Sequence, residues 1–161
     1  FYLDRFEETV SIKTEVKKLR NRALAELTKM FDKNQNKLFY VCKMVDANPT
    51  QYKKSTPNDV IYDNMDNYIN GLTAEKNKKR TAESFLEACG LNMEELKMRA
   101  LVKDGHYYKI IALKGDGQIY HVNSNSAMGK NHSEIMEFLK NPLNEEIYKH
   151  ISSTVEKYWN A

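Results

Sequence analysis

A helix-dominated α+β fold is predicted by three observations on this sequence. Apolar residues recur at three- and four-residue steps near both ends of the chain, helix-capping patterns punctuate the middle, and residues 106–122 switch to β-rich runs around a glycine turn. The 161 residues suit a single domain, for which about 100–200 residues are usual. With 41% hydrophobic, 11% aromatic and 29% charged residues, the chain has the apolar matter for a core and too much of it for disorder. Residues 1–36 read as an N-terminal helical arm. Residues 37–161 read as a globular α+β domain with a small antiparallel hairpin, to which a strand at Leu38–Val45 could add a third member.

From Leu3 to Phe31, apolar residues fall at Phe6, Val10, Val16, Leu19, Ala23, Leu27 and Met30 with charges between them, which predicts a long amphipathic helix. The stripe Val16, Leu19, Ala23, Leu27 and Met30 alternates steps of three and four, narrow enough to pair with a partner helix. After the polar run DKNQNK, the segment LFYVCKMV (Leu38–Val45) is rich in aromatic and β-branched residues. It is expected to form a buried strand, closed by Asp46, Asn48 and Pro49. Thr56-Pro57-Asn58-Asp59 combines a capping hydroxyl, a proline suited to the first helical turn and a following acid, so a helix should run to Asn70 and stop at Gly71.

A further helix from about Thr73 should reach Cys89, with Gly90 in the left-handed cap position, and Asn92 with Glu95 should restart another through Leu101. His106–Val122 reads as a hairpin around Lys114-Gly115-Asp116-Gly117, and Asn123–Lys130 as a polar loop. Asn131 with Glu134 should cap a short helix. Asn141-Pro142 should launch the last one, striped by Leu143, Ile147, Ile151, Val155 and Tyr158, with Trp159 closing the core.

Several function classes are disfavoured. No run approaches the roughly 18 apolar residues that cross a bilayer, and the acidic opening FYLDRFEETV is unlike a secretory signal, so no membrane partner and a cytoplasmic location are expected. Cys42 and Cys89 lie in apolar surroundings and are expected to be core residues, with no disulfide, metal or cofactor. No Walker pattern, dinucleotide fingerprint, catalytic triad or paired catalytic carboxylates can be assembled, so no catalytic residue is nominated. The abundance of Asn, Lys and Tyr suits an AT-rich genome such as that of a low-GC bacterium or its phage.

Net charge is +3, and its distribution says more: residues 1–45 hold ten Lys/Arg against six Asp/Glu. One basic cluster is Lys17, Lys18, Arg20 and Arg22; another is Lys76, Lys78, Lys79 and Arg80. The order helix, Gly90 turn, helix, hairpin over Thr81–Val122 is that of the second half of a winged helix, whose second helix enters the major groove. The donors that such a reader would offer are Asn92, Lys97, Arg99 and Lys103, with Lys114 at the hairpin tip and the Lys76–Arg80 cluster on phosphates. The leading expectation is therefore a non-enzymatic interaction module that binds nucleic acid. A second is a structural or assembly component, of a virion or another large complex, that pairs with a protein partner or a second copy through residues 10–31. A third is an enzyme in which His106 and His121 face each other across the hairpin. The start of the helix near Asn131, behind Ala127-Met128-Gly129-Lys130, is also a candidate for binding an anion.

Overall fold

The computed structural model describes residues 2–46, 50–73 and 77–161, with side chains described from Val10 onward. Lys76, Asn48 and Pro49 lie outside the described residues, as does the side chain of Phe6. The protein is 70% helical, with seven α-helices and a three-stranded antiparallel sheet among the described residues, as the helix-dominated α+β expectation requires. No described helix is long and apolar enough to cross a membrane. The chain divides into two compact units, one of Phe1–Val45 with Thr56–Asn92, the other of Asp46–Ser55 with Met93–Ala161.

Among the described residues the elements of the first unit are all helices: α1 (Tyr2–Lys33), α2 (Gln35–Val45), α3 (Asn58–Ile69) and α4 (Lys78–Cys89). Its core includes Leu27, Leu38, Val41, Ile61, Met65 and Phe85, all essentially inaccessible. Leu38–Val45 is helix, not strand. The helical ladder passes almost unbroken across Asn34, whose amide donates to the Met30 carbonyl (2.8 Å) and whose carbonyl accepts from the Leu38 amide (3.2 Å). The Asn34 side chain also takes the Lys37 amide (3.2 Å), so the polar run that looked like a break is an N-cap. Because α2 is buried on most of its circumference, its apolar run is continuous, and that pattern does not separate helix from strand.

The α3 helix starts one residue later than the sequence suggested. Pro57 holds the cap position without a side-chain bond, its carbonyl accepting from Val60 (3.0 Å) and Ile61 (3.2 Å). Its end is as expected, with Gly71 left-handed at φ 70°. Gly90 differs from expectation, because it is right-handed at φ −76°. The last carbonyls of α4 are met otherwise: the Gly90 amide donates back to Leu86 and Glu87, and the Lys37 ammonium donates to the Cys89 carbonyl (2.8 Å).

The second unit contains α5 (Met93–Tyr107), β1 (Ile111–Leu113), β2 (Ile119–His121), β3 (Ser126–Gly129), α6 (His132–Lys140), a 3₁₀ turn at Pro142–Asn144 and α7 (Glu145–Asn160). The strands lie in sequence order, Ile111 opposite His121 and Tyr120 opposite Ala127, with an irregularity between Ile119 and Tyr120. The hairpin turn at Lys114–Gly117 forms as the sequence predicted, closed by Lys114 and Gln118 (3.0 Å). Two features differ. The α5 helix runs on to Tyr107, six residues past Leu101, so Tyr107 and Tyr108 are not on a strand. The third strand is Ser126–Gly129, from the segment read as loop, and not Leu38–Val45.

Gly105 is buried inside the longer helix, where it faces the Ile111 side chain of β1. The helix then ends on Lys109, left-handed at φ 60°, with the Ile110 amide reaching back to Gly105 (2.9 Å). On α7 the buried stripe is Ile151, Val155 and Trp159, whereas Leu143 is 91% and Tyr158 44% exposed. Trp159 closes the core as expected and donates its indole N–H to Asp104 Oδ2 (2.6 Å).

Candidate functional site

The first turn of α4 breaks a local rule. Asn77 caps the helix by accepting the Arg80 amide (3.2 Å), which makes Lys78, Lys79 and Arg80 its first three residues, all exposed. Unsatisfied amides and the aligned peptide dipoles make that end positive, so acids are favoured there and cations disfavoured. Each of α3, α5, α6 and α7 obeys, with Asp59, Glu94 and Glu95, Glu134, and Glu145 and Glu146 respectively, whereas α2 has no acid there and one cation, Lys37. In α4 the turn has no acid and three cations.

Contacts inside the first unit fix what lies beside that turn. Asn58 bonds Gln35 (2.8 Å), the Tyr62 hydroxyl meets Thr28 (3.2 Å) and its ring meets Phe31 edge-on at 5.1 Å, so α3 runs back along α1. Thr81 Oγ1 donates to the Ile69 carbonyl (3.3 Å), which starts α4 where α3 ends, and the Lys37–Cys89 bond returns its far end to the α1–α2 junction. Counting about 1.5 Å per residue along these helices puts the first turn of α4 level with roughly residues 18–22 of α1. That stretch belongs to the other basic cluster: Lys17, Lys18 and Arg22 are exposed and Arg20 half-buried. Among the described residues Lys17, Lys18, Arg22, Lys78 and Lys79 form no ion pair. The acid facing α4 from α1 is Glu26, whose charge adds to burial in pushing the Cys89 thiol up to about 12.

The nominated cations of the second unit are engaged. Lys97 pairs with Glu156 (3.5 Å), Arg99 with Glu95 (2.9 Å), and the Lys103 ammonium donates to the Asp46 carbonyl. Glu95 also receives Lys140 (3.5 Å) and lies 3.9 Å from His132. The Arg99 bond is the main cause that holds its carboxyl below the usual range. Lys114 donates to Asn125 Oδ1 and sits 4.3 Å above the Tyr120 ring. Asn92 is exposed at the last position of the first unit, and α5 begins the second, so α4 and α5 belong to different units.

The histidine pair expected across the hairpin does not form. His106 lies on α5, exposed, and His121 stands opposite Ile111. His121 instead meets His150 of α7, Nε2 to Nδ1 at 2.8 Å, while its Nδ1 lies 2.6 Å from Ser124 Oγ. Sequence reasoning missed this pair because the partners are twenty-nine residues apart and joined only by folding. It also missed the burial of the polar residues Lys43, Thr81 and Asp104. Among the described residues no group of three or more His, Cys, Asp or Glu is arranged to hold a metal ion. The candidate anion site before α6 is filled by the chain itself: Glu134 Oε2 accepts the Lys130 amide (2.7 Å), and Asn131 Oδ1 accepts the Glu134 amide (2.9 Å).

On α1, the pairing stripe divides. Ala23, Leu27 and Met30 are buried in the first unit, Val16 and Leu19 are half-buried, and further along Val10 and Ile12 are exposed. A depression of about 460 Å³ between α1 and α3 is lined by Thr28, Phe31, Asp59, Tyr62 and Asp63. Comparison of the chain with protein-family models, curated proteins and solved structures finds no match.

Proposed function

We propose that the first unit is a nucleic-acid-binding module, with Lys78, Lys79 and Arg80 as its centre and Lys17, Lys18 and Arg22 beside them. The observation that supports this reading is the run of three cations on the amide-bearing end of α4, an arrangement that disfavours the helix by itself and suits a phosphate. Amide donors and the dipole favour an anion there, and the side chains release counterions when they replace them on a phosphate backbone. Compared with Lys78 and Lys79, the acid-paired Lys97 and Arg99 and the backbone-bound Lys103 have less to offer, since a phosphate must compete with partners already in place. Contacts of this kind carry affinity and little sequence preference.

Fluorescence anisotropy with labelled single-stranded and duplex DNA, over a salt series, tests the reading. Affinity should fall steeply with salt, and replacing Lys78, Lys79 and Arg80 by Ala should flatten the log–log slope by about 2–3, at roughly 0.9 per phosphate contact. Alanine is the best helix former, so the variant keeps the helix, which circular dichroism checks. Absence of binding at low salt, or an unchanged slope in the variant, ends the proposal.

A further inference from the structure

The second unit contains an unbroken chain of four side chains. Ser124 donates its hydroxyl to Ser126 Oγ (2.9 Å), His121 Nδ1 lies 2.6 Å from Ser124, and His121 Nε2 lies 2.8 Å from His150 Nδ1. With the Ser124 proton spent on Ser126, Nδ1–H of His121 donates to Ser124, and Nε2 accepts from Nδ1–H of His150. His121 is only 2% exposed, and the two rings meet nearly edge to face, at 73°. The bond ties the end of β2 and its following turn to α7.

We propose that the His121–His150 pair is a proton-operated clasp, tightened by a first proton and opened by a second. A proton on Nε2 of His150 leaves the Nδ1–H donor in place and turns the bond into a charge-assisted one. The second must go to Nε2 of His121, the very atom that accepts. Two N–H groups and two positive charges then confront each other, and the rings must part.

The surroundings give that second charge no relief. On β1 the facing residue is Ile111, and on β3 it is Ser126. Along α7 the charges within a turn of His150 are Glu146 and Lys149, the latter held by Glu145 (3.1 Å). At the hairpin, Asp116 is bonded by the Tyr120 hydroxyl (2.5 Å) and Lys114 by Asn125, and α5 contributes His106. Of these groups only His150 acts on His121, and burial with that neighbour holds its imidazole below the ordinary range.

The test is an NMR titration of the imidazole nitrogens of the whole chain from about pH 8 to 4.5, a span that brackets ordinary histidine titration, with amide exchange followed over residues 119–129. Two separated steps are expected, the lower accompanied by a loss of protection of about tenfold or more between Ile119 and Gly129 after correction for intrinsic exchange. His150→Gln offers an amide N–H that can donate to the neutral Nε2 of His121 and a carbonyl that can accept once that atom is protonated, and it cannot charge, so it should keep the contact and abolish the acid-induced loss. Independent titration of the two rings at ordinary values overturns the proposal, as does protection that is constant with pH. So does the same acid response in His150→Gln. The wild-type titration decides the matter even if that variant fails to fold.

Discussion

Single atoms decide several features of this protein. Gly129 adopts φ +150°, and a methyl group there would lie 2.6 Å from Cβ and 3.2 Å from the backbone carbonyl carbon of Glu134. The glycine therefore lets β3 run directly into the capped start of α6, where Glu134 and Asn131 exchange bonds with the backbone. Gly129→Ala should lower stability by about 2–3 kcal/mol, combining backbone strain with overpacking, and a denaturant titration would read it. A change below about 0.5 kcal/mol would show that Glu134 yields easily. Asp104 and Trp159 show the converse, a buried carboxylate kept because an indole N–H reaches it at 2.6 Å. Neither role is legible in sequence. A glycine ahead of a helix and an acid inside one have many ordinary uses, and only the neighbours supplied by folding distinguish these.

Among the elements, α4 carries three cations and no acid in the first turn, against its own dipole. Replacing Lys78 and Lys79 with Glu should therefore raise the stability of the folded chain by about 0.5–2 kcal/mol while removing the polyanion binding proposed for it. Thermal melts at low salt, paired with the anisotropy assay, separate the two effects. Lower stability in the double variant would mean that these lysines support the fold and would remove the argument for a ligand. The sequence showed the helix and the cluster, but neither the Asn77 cap nor the right-handed Gly90. It did not show that α3 and α4 fold back along α1 to bring residues near 18–22 level with Lys78, because that depends on the Asn58–Gln35, Thr81–Ile69 and Lys37–Cys89 contacts. The misread α2 has a different cause. Periodicity identifies an element by the contrast between its faces, and an element with little exposed face has little contrast to read.

Over the whole molecule, charge and titration are divided between the two units. The first holds both basic clusters and no histidine, and all four histidines belong to the second. Partial loss of hydration is the leading cause that holds His106, His121 and His132 below their ordinary value of 6.5. The unfolded chain consequently takes up more protons than the folded one as pH falls past that value, so stability present at neutral pH declines with acidification through the lowered folded values. Hydrogen exchange at about pH 7.5 and 5 should show protection lost in the second unit and retained in the first, since ordinary histidine titration falls between these limits. Equal loss in both units would place the acid response outside the histidines. By itself the sequence determined the helical class, most helix positions and their caps, the Lys114–Gly117 turn and the existence of two basic clusters, because these follow from residues within a few positions of each other. Only the tertiary structure decided that Leu38–Val45 is helix, that Ser126–Gly129 is strand, which cations are matched by acids, and that His121 meets His150. Those outcomes depend on burial and on partners distant along the chain, which local patterns do not encode.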